Sequence, residues 1–249
     1  MRYFLYLSYN GKNYCGWQIQ PNGISVQQRL MESLSILLKE ECQVVGAGRT
    51  DTGVHASCMV AHFDTEQPLT DLLRLKNQLN GILPSDIAIS EIREVAPEAH
   101  ARFDAISRTY HYYLSDKKNP FRREYVYKVS KLPDFEEMNK AASLLLETVD
   151  FTSFSKTHTD VKTNCCRVAH AQWKQEGDVW VFVIRADRFL RNMVRSIVGT
   201  LLDVGWGKLT IAQFASIIEQ KDRRKAGVSV PAHALFLMAI EYPELIVSG

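Results

Sequence analysis

The chain of 249 residues contains no run approaching the roughly 18 consecutive apolar residues that a membrane-spanning helix requires. Cysteine is scarce. There are five, an odd number, and the adjacent Cys165 and Cys166 do not readily bridge each other, so a disulfide framework is not expected. No C-x-x-C pair is present to anchor a zinc site. Gly46, Gly48 and Gly53 mimic a phosphate loop, but the G-x-x-x-x-G-K-[ST] pattern is absent and no helix signal follows. Asp51-Thr52-Gly53 spells the aspartic-protease triplet without a second copy, whereas that chemistry needs two carboxylates sharing one proton. A homodimer would supply the second, but the chain is far longer than such a half-protease needs. Low-complexity stretches and long linkers are also missing. The N-terminus enters a strand-like pattern at once, with no signal-peptide layout, so a cytoplasmic location is the expectation.

What is present is ordinary for a soluble globular protein: 46% hydrophobic and 23% charged residues. The net charge of +2 conceals an asymmetry. Residues 1–104 carry 9 basic and 12 acidic side chains, while residues 105–249 carry 21 and 16. Basic clusters at Lys117–Lys128, Arg185–Arg195 and Lys221–Lys225 fit either a polyanion footprint or a solvated surface.

Alternation predicts strands over 2–9, 43–47, 54–63, 86–95, 101–114, 166–174, 179–187 and 235–242. Helices are predicted after a Ser25–Gln28 capping box, over 69–79, over 134–146 behind Asp134, over 188–203, and after Thr210 with Gln213. Mixed antiparallel strands and helices give an α+β class. The expected division is 1–104, carrying the Asp51 loop, and the more basic 105–249.

Residues 48–56 read GRTDTGVHA. Asp51 lies between Arg49 and Gly53 in a loop joining two strands, where side chains converge on clefts. A carboxylate held by a guanidinium acquires a fixed orientation and serves as nucleophile or electrostatic stabiliser. Asp followed closely by Gly is also a common turn, and on residue types alone both readings stand. His55, Cys58 and His62 resemble zinc ligands, yet only Cys58 and His62 share a strand face, and a packed strand explains them better. Arg188, Arg191 and Arg195 fall at i, i+3 and i+7 on the predicted helix, with Arg195 the most inward. On the strand 107–114, Arg108, Tyr110 and Tyr112 share one face, suited to stacking on nucleobases or to an ordinary core.

Several segments together resemble one family. GRTDTGVHA is similar to the signature of the TruA family of pseudouridine synthases, which modify the tRNA anticodon arm. Tyr14-Cys15-Gly16-Trp17-Gln18 resembles its Y-x-G-W-Q, and Asn80–Pro84 its N-x-x-L-P. Ala101-Arg102-Phe103-Asp104-Ala105 with Arg108 and Tyr110 resembles A-R-F-x-A…R-x-Y, and Phe189–Gly199 its F-L-x-x-M-V-R-x-I-V-G. Departures are small: Thr52 for the usual Ala, Asn10 for Asp before Gly11, and Ala234 for Gly before Leu235.

The resemblance implies two RNA-recognition-like (ferredoxin-like) halves forming a continuous, mainly antiparallel sheet, with helices on one side and a central cleft. It implies a homodimer that uses no metal or cofactor and isomerises uridine to pseudouridine at tRNA positions 38, 39 and 40. Asp51 matches the catalytic aspartate, and Arg49, Tyr110 and Arg195 match its substrate-binding neighbours. Two other readings compete. One is an RNA-binding module, which leaves the acid at 51 without a role. The other is a glycosidase-like hydrolase, which needs a second carboxylate such as Asp104 or Asp187.

Overall fold

The computed structural model describes residues 1–156 and 163–247. In chain order the elements are β1 (Arg2–Tyr9), α1 (Val26–Leu38), β2 (Val44–Gly46), β3 (His55–Asp64), α2 (Leu72–Ile82), β4 (Ile87–Val95), β5 (Ser107–Ser115) and β6 (Tyr127–Lys128). They continue with α3 (Phe135–Ser143), β7 (Val168–Glu176), β8 (Val179–Ala186), α4 (Met193–Gly205), α5 (Ile211–Gln220), β9 (Leu235–Glu241) and α6 (Glu244–Val247). The chain forms two compact units, Met1–Ser107 with Leu237–Gly249, and Arg108–Phe236. Both are α+β with largely antiparallel pairing.

In the first unit the strand order is β4-β1-β3-β9, with β2 added to β3. Tyr3, Leu5, Leu7 and Tyr9 form one apolar face of β1, as a period of two requires. Phe4, on the opposite face, is covered by His62 and Tyr242 at ring separations of 6.4 and 5.2 Å. Each such buried side chain contributes roughly 1.5–3 kcal/mol relative to exposure. Helix α1 starts at Ser25, whose Oγ accepts from Gln28 N at 3.2 Å. The reciprocal half of the expected capping box is not made, because the Gln28 side chain donates to Glu32 instead. Helix α2 begins three residues later than expected, capped by Asp71, since Leu69 N is drawn to the Tyr3 hydroxyl at 2.9 Å.

In the second unit β8 lies between β5 and β7, and β6 pairs in parallel with β5. Helix α3 is capped by Asp134, which accepts from Glu136 N and Glu137 N, and it packs on β7, α4 and α5. Trp173, Phe135, Trp180 and Phe182 form an aromatic core there, with Phe135 stacked on Trp180 at 3.6 Å. Helix α5 has the full capping box of Thr210 and Gln213.

Two expectations need correction. The predicted helix over 188–203 begins only at Met193, because Asn192 adopts a left-handed φ of +65° and ties its Nδ2 to Ser229 Oγ at 2.6 Å. Arg188 and Arg191 therefore precede the helix and do not share a helical face with Arg195. The predicted strand over 101–114 begins at Ser107, because 101–106 is a turn segment in which the amides of Ala101, Arg102 and Phe103 are taken by histidine side chains.

Candidate active site

The ladder between β2 and β3 closes at Gly46↔Ala61, extended by Ala47 N donating to Val60 O at 2.8 Å. Residues 48–54 are thereby delivered as a loop. Within it Val54 N donates to Asp51 O at 3.1 Å, and Gly53 takes a φ of +78°. Asp51 thus opens a turn, as the Asp-x-Gly spacing predicts, and Gly53 supplies the positive φ. The turn uses the Asp51 carbonyl, and the residue as a whole is half-buried. Arg49, on the same loop, is exposed.

A second segment braces this loop from behind. Thr50 O accepts from Trp17 N at 3.3 Å, and Thr50 Oγ1 shares a 2.9 Å hydrogen bond with the Tyr9 hydroxyl. Gly16 has φ +101°, and a Cβ there would lie 2.3 Å from Thr50 O. Gly46 lies beneath the Trp17 ring, where a Cβ would meet ring atoms at 2.4 Å. Gly11 N donates to His55 Nδ1 at 3.0 Å, and a Cβ on Gly11 would come within 2.0 Å of Val54 O. Tyr14 anchors the segment through a 2.5 Å hydrogen bond to Asp86, and burial together with that bond raises its phenol above the usual range. The spacing of Gly11, Gly16 and Trp17 is thus a packing requirement of the Asp51 loop. Tyr9 and Thr50 were not singled out by the sequence. A tyrosine ending an alternating strand looks like any other core residue.

The histidines that suggested zinc are otherwise engaged. His55 accepts from Gly11 N, and His62 Nδ1 accepts from Ala101 N at 3.1 Å. Burial, reinforced by Arg2 and His100, pushes His62 down to about 4, so it is a neutral acceptor at physiological pH. Burial likewise raises the Cys58 thiol. Among the described residues no group of three or more His, Cys, Asp or Glu side chains is arranged to hold a metal ion. Asp104 Oδ2 accepts from His100 N at 2.7 Å, while His100 Nδ1 accepts from Arg102 N and Phe103 N. Asp187 Oδ1 accepts from Arg167 N and Arg188 N at 2.8 and 2.7 Å. Each of these two acids thus accepts backbone N–H bonds through one carboxylate oxygen.

In the second unit Tyr110 sits on β5, 9% exposed, with the Phe189 ring edge-on at 5.0 Å and 85°. Tyr112, two residues on along the same strand face, is fully buried and donates to Pro231 O at 3.1 Å. Arg108 reaches Asp187 O at 2.7 Å. Arg195 lies in the first turn of α4, half-buried, and its Nε donates to Val230 O at 2.8 Å. Val230 N returns a 3.2 Å bond to Arg195 O. Gly199 permits this approach, since a Cβ there would lie 1.9 Å from Val228 O. The guanidinium is therefore oriented by the 228–230 segment.

Of the four sequence-predicted site residues, Asp51 and Arg49 occupy one loop of the first unit, and Tyr110 and Arg195 belong to the second. A profile described as tRNA pseudouridine synthase matches residues 6–104 and 141–243. Over 243 residues the chain is 63% identical to tRNA pseudouridine synthase A of Parabacteroides distasonis, covering 98% of this chain and 96% of the relative. It is 60% identical over 250 residues to the protein of that name from Bacteroides thetaiotaomicron, covering 99% and 93%. At greater distance it is 36% identical over 238 residues to that of Exiguobacterium sibiricum, covering 96% and 95%.

Proposed function

This chain belongs to the tRNA pseudouridine synthase family, and on that footing we propose that it isomerises uridine to pseudouridine at positions 38, 39 and 40 of the tRNA anticodon stem-loop, with Asp51 as the catalytic residue. The observation that carries the assignment of Asp51 is its placement in a turn braced on either side, at Thr50 by Tyr9, Gly16 and Trp17 and at Val54 by Gly11.

The reaction breaks the C1′–N1 bond, turns the base and joins C5 to C1′. C5 gives up its proton and N1 gains one, so atoms and electrons balance without an oxidant, reductant or group donor. The target atoms are hidden in the stacked arm, so the nucleotide is flipped out before chemistry begins. Asp51 supports the sugar at C1′ while the base is detached, the service an oriented carboxylate is suited to give. Tyr110 offers its ring to the flipped base and its hydroxyl to the proton leaving C5. Its packing on Phe189 fixes the ring before substrate arrives. Arg49, exposed beside Asp51, and Arg195, oriented by Val230, take the phosphates next to the flipped nucleotide. The protein works as a homodimer in the cytoplasm.

One assay tests the reading. The protein is incubated with unmodified tRNA, and both pseudouridine and released uracil are mapped. Pseudouridine at 38–40 is the expected product. Free uracil would identify a hydrolase, and neither product would identify a binding module.

A further inference from the structure

We infer that Tyr9 is a positioning residue for the isomerisation, acting on Asp51 through Thr50; this rests on the reading of Asp51 given above. Thr50 is the residue from which Asp51 departs, and three separate contacts fix it. Its hydroxyl meets the Tyr9 hydroxyl at 2.9 Å, its carbonyl accepts from Trp17 N at 3.3 Å, and the same carbonyl lies against Gly16. On the other side of Asp51, Gly53 and the Val54 N–Asp51 O bond set the exit, and Val54 O is packed against Gly11. Asp51 is therefore held between two anchored neighbours.

These anchors differ in kind. The contacts of Gly16, Gly11 and Trp17 are made by backbone or bulk, and losing them disturbs the fold. The Tyr9–Thr50 contact joins two side-chain hydroxyls inside the core, with Tyr9 4% and Thr50 8% exposed. Tyr9 holds its place by other means, since it ends β1 opposite Ala56 and Ile87 and its ring lies 6.2 Å from that of Trp17. Removing its hydroxyl keeps the ring and the strand and breaks the contact that holds the torsion of Thr50. A buried hydroxyl without its partner seeks another, and the backbone before Asp51 shifts with it. A displacement on the scale of an ångström at a reacting carboxylate slows the chemical step without weakening the grip on RNA.

The test compares Tyr9→Phe, Thr50→Val, Thr50→Ser and the double variant Tyr9→Phe/Thr50→Val, with Asp51→Asn in parallel. Single-turnover rates on saturating tRNA, tRNA Kd and thermal midpoints are read. Tyr9→Phe and Thr50→Val should each slow the single-turnover step by about ten- to a hundredfold, with Kd within about twofold of wild type. The double variant should be no slower than the worse single one, because both remove the same contact. Thr50→Ser, which keeps a hydroxyl, should recover most of the rate. A wild-type rate in Tyr9→Phe overturns the inference. So do losses that multiply in the double variant, rates that merely follow the thermal midpoints, or a loss confined to Kd. Asp51→Asn separates the two layers. If it is inactive while Tyr9→Phe is fully active, only the positioning role falls; if it turns over normally, the reading of Asp51 and this inference fall together.

Discussion

Gly16 faces Thr50 so closely that a methyl group on Gly16 would lie 2.3 Å from the Thr50 carbonyl oxygen, at a φ of +101° that side chains rarely adopt. Gly16→Ala therefore combines backbone strain with a clash against main chain. We expect a loss of about 2–4 kcal/mol, from left-handed strain plus overpacking. For a chain of this size that lowers the midpoint by several degrees. Gly48 provides the control, because nothing lies within 4 Å of a Cβ built there. Thermal unfolding of Gly48→Ala should stay within about 0.5 kcal/mol of wild type. Equal tolerance at both positions would refute the account of the brace.

Asp51→Asn keeps the size of the side chain and the Val54–Asp51 main-chain turn. Pseudouridine formation should fall by about 10³–10⁴-fold, the scale seen when a charge-bearing member of a catalytic set is removed. Affinity for tRNA should persist in a filter-binding or anisotropy titration.

Tyr110→Phe keeps the ring against Phe189 and removes only the hydroxyl. If that hydroxyl passes the C5 proton, turnover should fall by about a hundredfold, with little change in Kd. Full turnover in the variant would show that the ring alone suffices.

Arg191 is exposed ahead of α4. Arg191→Gln should weaken tRNA binding and reduce the slope of log K against log salt by about one for a lost phosphate contact. An unchanged slope would return Arg191 to the solvated surface.

Stability should depend on His62. Its folded value is about 4, below the ordinary value of 6.5, so above pH 6.5 both folded and unfolded chains hold it neutral. Between pH 6.5 and 4 only the unfolded chain takes the proton, and stability falls with falling pH by up to about 3 kcal/mol. Below 4 both states are protonated and the loss levels off. His100, also lowered by burial, acts with the same sign. Urea melts across this window should show a shallower fall in His62→Gln, which retains an acceptor for Ala101 N.

The strands and most helices were legible because their apolar spacing and caps are local. Asp134, Thr210 and Ser25 announce helices by chemistry that acts within four residues. Two errors have one origin. Phe189 and Leu190 continue the apolar period of α4 backwards, and Ala101-Arg102-Phe103 alternates like a strand, yet a remote side chain overrides each pattern. Ser229 holds Asn192 in its left-handed conformation, and His62 binds the amide of Ala101. Contacts 37 and 39 residues apart leave no mark on local periodicity. The Asp51 loop was visible as a composition, an acid among glycines and threonines. Its brace was not, because Tyr9 reads as strand and Gly16 as an ordinary turn glycine until Thr50 is brought against them.

The first unit is discontinuous in sequence: Leu237–Gly249 joins Met1–Ser107, and β9 lies beside β3, the strand that leaves the Asp51 loop. Ile106 N bonds Glu241 O at 2.8 Å, and the Tyr242 hydroxyl bonds Ala101 O. During synthesis β3 emerges early and waits for a neighbour encoded about 170 residues later, a separation that makes its pairing slow. Until then the part of that edge of β3 not covered by β2 is unpaired and available to other strands. A ribosome-bound chain stopped before residue 235 would carry the whole GRTDTGVHA run on an unfinished sheet. Completion of the sheet that carries this loop thereby depends on β9.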